Sequence, residues 1–191
     1  MQRALPFIIF VIVLGLARVV GAMTPESLGN LQPLGALFFC GMALFGWRGI
    51  ILPAIAWFIT YPITSLAQGY GWSAQMLVPL LGFAAMIALA SFFKNAKPGR
   101  IFLGSLAGAV AFYLITNSLS WAFDPLYAPK SLATLGQALW TGLPQFGTPT
   151  WVFFRNAMIA QALFSAIFLY ATAAVPMAYQ KNQKRALPSA S

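Results

Sequence analysis

Apolar residues along this chain come in runs too continuous for one face of a water-facing helix and too long for strands. Six runs stand out, at residues 4–22, 31–46, 49–67, 73–93, 101–123 and 151–175. A helix needs about 20 mostly apolar residues to cross a bilayer, and fewer where flanking side chains snorkel or the lipid thins. Between the runs stand Gly46-Trp47-Arg48-Gly49, Gly69-Tyr70-Gly71-Trp72 and Lys94-Asn95-Ala96-Lys97-Pro98-Gly99-Arg100. Glycine and proline favour turns there, and the Trp and Tyr rings suit headgroup depth. The pattern predicts an all-α integral membrane protein, a six-transmembrane-helix bundle forming one domain over residues 1–179. Residues 180–191 are polar, contain Pro188 and read as a disordered cytoplasmic tail.

One connection is long, from Asp124 to Thr150. Within it Leu132, Leu135 and Leu139 share a helical face behind Ser131, a residue suited to the N-cap, so a short interfacial helix is expected in this outer loop. Connections of this length serve either as lids or as passive surface loops.

Composition and charge sharpen the picture. Of the 191 residues 60% are hydrophobic and 7% charged, against roughly 25% charged in soluble domains. There are 11 Lys+Arg and 2 Asp+Glu, for a net charge of +9. The positive residues are sparse and lie between apolar runs, so they address the lipid bilayer rather than nucleic acid. With the N-terminus inside, Arg3, Arg48, Lys94, Lys97, Arg100, Lys181, Lys184 and Arg185 all fall on the cytoplasmic side, while Glu26, Asp124 and Lys130 fall outside. Both termini are therefore expected to be cytoplasmic. A cleaved secretory signal ending at Val20-Gly21-Ala22 is the alternative for the first run, and Arg18 opposes it. One cysteine, Cys40, and no histidine leave no intramolecular disulfide and remove the commonest ligand and base from metal and catalytic arrangements. No catalytic residues, metal ligands or cofactor are expected, and the reading is that the protein is not an enzyme.

Polar residues inside the runs are the candidates for function. On the fifth, Ala109, Tyr113, Thr116, Asn117, Ser120 and Asp124 fall on one helical face, with Gly104, Ala107, Gly108 and Ala111 opposite. Gly104 and Gly108 are candidate helix-packing residues that let a neighbour approach closely, while the polar face turns either to other helices or to a cavity. Arg18 and Arg155 lie about one turn from the outer ends of the first and sixth runs. Three readings fit them: snorkelling to the outer headgroups, pairing with Glu26 and Asp124, or a substrate-binding pocket formed by Arg18, Asn117, Trp121, Arg155 and Asn156. In such a pocket the guanidinium fork would hold a carboxylate or phosphate and the indole would stack. Gln161 and Ser165, four apart, extend a polar line inward, and Pro53 and Pro62 predict kinks or boundaries in the third run.

Four stretches together carry a family resemblance: Leu31-Gln32-Pro33-Leu34-Gly35-Ala36-Leu37, Ser105-Leu106-Ala107-Gly108 through Thr116-Asn117, Tyr127-Ala128-Pro129-Lys130-Ser131-Leu132, and Phe153-Phe154-Arg155-Asn156. With them the chain resembles small bacterial six-span proteins related to the substrate-binding S components of energy-coupling-factor (ECF) vitamin transporters. Gln161 stands where that family tends to carry an acid. The resemblance implies a multi-pass protein of the bacterial cytoplasmic (inner) membrane that takes up a small organic micronutrient, an anion among the options. It also implies an energising membrane subunit and ATPases as partners. The rival expectation is a structural or assembly subunit of a larger membrane complex with no solute ligand.

Overall fold

The computed structural model describes residues 16, 19–21, 23, 24, 28–67 and 77–186. Its elements are α1 (Leu34–Phe45), α2 (Trp47–Ala67), α3 (Val78–Ser91), α4 (Pro98–Phe123), α5 (Leu132–Leu139) and α6 (Thr150–Ala186), with short 3-10 turns at Pro125–Tyr127 and Pro144–Phe146. Among the described residues there is no strand. The protein is all-helical, as the apolar runs predict. Among the described residues, three helices are long and apolar enough to cross a membrane: Trp47–Leu66, Pro98–Phe123 and Thr150–Ala173. The expected first span, with Arg18 and Glu26, lies almost wholly outside the described residues.

The span expected at 31–46 is shorter than the hydrophobic pattern implies, and its sequence says why. The run at 31–46 becomes helical only at Leu34, because Asn30 takes a left-handed φ of 63° and Pro33 stands at the N-cap. Ahead of it Leu31 N–H donates to the Leu28 carbonyl at 2.9 Å and Gln32 N–H to the Asn30 carbonyl at 3.0 Å, so residues 28–33 are a stack of tight turns. Helix α3 is described only from Val78. In contrast α2 continues through Pro53 and Pro62, a tolerance common where neighbouring groups satisfy the freed carbonyls. At the far end α6 runs to Ala186. The tail expected from Gln180 onward is therefore helical as far as the chain is described, because Gln, Lys and Arg are good helix formers and the next proline is Pro188.

Packing is inverted relative to a water-soluble protein. Ile51, Ile55, Phe58, Ile59 and Ile63 on α2 and Ile159, Leu163 and Ile167 on α6 face outward, while Thr60, Thr64, Ser105, Asn156, Gln161 and Ser165 are buried. Outward apolar stripes of this size are unfavourable in water and at home in lipid tails. The interior is a cluster centred on Phe39, Met42, Trp57, Phe83, Met86 and Ile101. Aromatic pairs bind it together, with Trp57 stacked on Tyr61 at 4.5 Å and Phe38 against Phe83 at 4.7 Å. Cys40 is wholly buried among them.

Glycines set the closest helix approaches. Gly46, at φ 63°, ends α1 and reverses the chain into α2, where Gly41 and Gly49 meet backbone to backbone. The expected packing face of α4 is present: a Cβ on Gly104 would come within 2.6 Å of the Phe93 ring, and one on Gly108 within 2.9 Å of the Phe39 ring. Phe39 is itself fully buried and has nowhere to retreat. Gly108→Leu is therefore expected to overpack the contact, lowering stability by about 1–3 kcal/mol in a detergent melt. An unchanged midpoint would mean that the α4 contact can open freely.

Candidate functional site

The turn before α1 puts polar groups where a membrane protein can least tolerate them. Gly35, in the first turn of α1, has no side chain, and Gln161 of α6 fills the space: a Cβ on Gly35 would lie 2.7 Å from Gln161 Oε1. Gln161 stands about 16 Å along α6 from Thr150, near the middle of a bilayer-spanning helix. Between α1, α3, α4 and α6 this leaves a cavity of about 40 Å³. Its polar lining residues are Asn30, Gln32 and Gln161, and its apolar ones include Phe83, Met86 and Phe112, with the small residues Gly35, Ala109 and Ala157 completing it. The rings of Phe83 and Phe112 lie 4.8 Å apart. A single water takes up roughly 10–15 Å³ on this scale, so the space suits one small polar group or a few waters.

Gln161 is only 4% exposed, yet its Nε2 has no hydrogen-bond partner. Burial of a donor without an acceptor costs about 1–3 kcal/mol. Below it the polar line is satisfied: Ser105 Oγ donates to the Phe102 carbonyl at 2.7 Å, and the Ser105 and Ser165 hydroxyls are hydrogen-bonded to each other at 2.9 Å.

Of the residues expected to form a pocket, the four that are described make the following contacts. Arg18 lies outside the described residues. Arg155 is exposed; its Nε and a terminal nitrogen donate to Asn156 Oδ1 at 3.2 and 3.1 Å, and its guanidinium sits 5.4 Å from the Trp151 ring centre. Among the described residues no ion pair joins it to Asp124, whose carboxylate accepts Leu126 N–H at 2.9 Å. Asn156 is buried and donates to the Gly29 carbonyl at 3.0 Å, clamping the turn that carries Asn30 and Gln32. It therefore shapes the cavity without lining it. Asn117 Nδ2 donates to the Tyr113 carbonyl at 2.8 Å, and Thr116 Oγ1 to the Phe112 carbonyl at 2.8 Å, so these groups bond to their own helix. Thr116 also packs against Gly82 of α3.

Trp121 belongs to a clasp holding the long connection between α4 and α6. The short helix expected in the long connection is present as α5, with Ser131 as its N-cap in a reciprocal capping box with Thr134. Trp121 Nε1 donates to Thr134 Oγ1 at 3.0 Å, and Lys130 Nζ donates to the Trp121 and Asp124 carbonyls at the C-terminal end of α4, where a cation suits the helix dipole. Tyr113 hydroxyl donates to the Leu139 carbonyl, and its ring meets Phe154 at 4.6 Å. Burial, and then the Asp124 carboxylate, push the Tyr127 phenol above its ordinary value of 10.0, so it stays protonated at neutral pH.

Asn30, Gln32 and Gly35 were not legible as site residues. Their signal was an asparagine and a glutamine ahead of a proline at the mouth of an apolar run. Among the described residues no group of three His, Cys, Asp or Glu side chains could hold a metal ion. No curated protein and no solved structure matches the chain. Residues 1–186 match a family of unknown function, DUF6580, and the chain belongs to that family.

Proposed function

We propose that this is a multi-pass membrane protein that binds a small organic solute in the cavity between α1, α3, α4 and α6 and takes it up, in the manner of an S component. The observation that carries the reading is Gln161, a residue lining the cavity, whose Nε2 is buried in the bundle without a partner. A polar residue kept inside a membrane bundle is a functional-site hypothesis by default. A solute that supplies the missing acceptor gives that burial a reason.

The rest of the reading extends from it. Six spans with both termini in the cytoplasm are supported by the exposed positive residues Arg48, Lys94, Lys97 and Arg100 at the α1–α2 and α3–α4 turns. A bacterial inner membrane, an energising membrane subunit and its ATPases follow from the family resemblance in the four stretches above. Arg155 lies outside the cavity, so an anion is not required as ligand. Structural or assembly work is the second reading, favoured by the Thr116–Asn117 face, which bonds to its own helix and packs on α3.

Topology is tested by thiol labelling. In a background lacking Cys40, a cysteine at Gly136, where a side chain meets open space, should react with an impermeant reagent on sealed cells. One at exposed Lys97 should react only after lysis, and the reverse pattern would overturn the orientation. Binding is tested by native mass spectrometry of the protein released from nanodiscs after incubation with a cell-derived small-molecule extract. A solute adduct of defined mass is expected on the wild type and its loss on Ala109→Leu, which fills the cavity. No adduct on the wild type would leave the structural reading.

A further inference from the structure

We infer that the turn between α3 and α4 docks an anionic phospholipid, with Lys94, Lys97 and Arg100 on the phosphodiester and the outward stripe of α4 against an acyl chain. The inference goes beyond the solute-binding reading and rests only on the bundle standing in a bilayer, whichever leaflet this end reaches. Asn95, at a left-handed φ of 61°, reverses the chain, so Lys94 just after α3 and Lys97 at the N-cap of α4 flank one turn. Arg100 follows Lys97 by about one helical turn. All three are exposed. The chain holds only two acidic side chains, Glu26 and Asp124. Asp124 caps the far end of α4, about 36 Å from Arg100, so even an approach by Glu26 would leave this patch positive.

What adjoins the charge decides the ligand class. Along α4 the exposed positions Leu103, Ala107 and Leu114 fall, with Arg100, within about 60° of one another around the helix. Leu103 is 66% exposed and Leu114 46%. This stripe climbs about 21 Å from the cation, enough for the hydrocarbon of one leaflet, about 15 Å thick. Phe92, 84% exposed beside the turn, is an aromatic ring suited to headgroup depth. A free phosphate would use the cations alone, in open water where screening leaves little attraction. A nucleic acid or an acidic protein would leave the apolar stripe unused. An anionic phospholipid uses both. The planar fork of Arg100 matches phosphate oxygens, the lysines add point charges, and the acyl chain covers Leu103 and Leu114. Each cation near an anionic lipid surface strengthens attachment about fivefold at low salt.

The experiment uses the full chain in a non-ionic detergent, titrated with dioleoyl phosphatidylglycerol or dioleoyl phosphatidylcholine, which share acyl chains, and read by native mass spectrometry. The wild type should hold phosphatidylglycerol about a hundredfold more tightly, and the preference should fade as ammonium acetate rises from about 0.1 M to about 1 M. Lys94→Gln, Lys97→Gln and Arg100→Gln combined should abolish it with the melting temperature unchanged, because all three side chains are exposed. If that triple variant does not fold, each single change should lower the preference about fivefold. Lys181→Gln, Lys184→Gln and Arg185→Gln combined remove the same charge elsewhere and should keep the preference. Equal binding of the two lipids by the wild type would overturn the site, and so would an equal loss in both triple variants, the mark of net charge alone. Displacement of the lipid by glycerol 3-phosphate would overturn the lipid assignment in favour of a soluble phosphate. None of these outcomes bears on the solute adduct that Ala109→Leu removes.

Discussion

Gly49→Ala should be among the most damaging single-methyl additions to this protein, lowering stability by about 3 kcal/mol or more. A Cβ at Gly49 would fall 2.0 Å from the Gly41 carbonyl oxygen, and one at Gly41 would fall 2.4 Å from the Gly49 carbonyl oxygen. Both obstacles are backbone, so no rotamer change relieves the clash. The α1–α2 hairpin must part, and Phe39, Met42 and Trp57, all buried, must shift with it. Gly99→Ala and Gly136→Ala are the controls, since a Cβ at either meets nothing within 4 Å. At those helical positions alanine is expected to stabilise by roughly 0.5–1 kcal/mol. Unfolding in mixed micelles, followed by circular dichroism, reads all three. A Gly49→Ala midpoint as high as that of the controls would show that the two helices need not touch.

The second large effect has the opposite sign. Gln161→Leu should raise the stability of the solute-free protein by about 1–3 kcal/mol, because it removes a buried donor with no acceptor and replaces it with an apolar side chain of similar length. Most buried substitutions destabilise, so the direction is diagnostic. A stability gain joined to loss of solute response is the pattern of a site maintained at the expense of the fold. If Gln161→Leu melts lower than the wild type, the amide is satisfied in the folded protein and the cavity loses its main argument. Both variants are far apart in the bundle's packing, Gly49 at the α1–α2 turn and Gln161 beside Gly35, so their effects should add.

How much of this was readable beforehand depends on the length scale of the interaction. The apolar runs located α2, α4 and the start of α6 to within a few residues because desolvation of a helix in lipid is a property of the whole segment. The N-cap at Ser131 was legible for a related reason, since a serine just ahead of a helix meets the backbone of that helix's own first turn. Gly104 and Gly108 were legible as a packing face, though the sequence could not say that Phe93 and Phe39 would be the rings against them. The pocket of Arg18, Asn117, Trp121, Arg155 and Asn156 was read by collecting polar residues at similar depth. Depth says nothing of which way a side chain turns. Asn117 found its own helix carbonyl, Trp121 found Thr134, and Arg155 found Asn156 and Trp151.

By itself, then, the sequence determined the helical class, the outward apolar stripes and the separation of positive from negative loops. These depend on composition along one chain and on the solvent around it. Only the tertiary structure decided where the polar interior lies. The N-terminal turn of α1 and the middle of α6, distant in sequence, meet because Gly35 leaves room for Gln161 and Asn156 ties down the Gly29 carbonyl. A cavity is a space between segments, and its chemistry belongs to residues whose proximity no local pattern encodes.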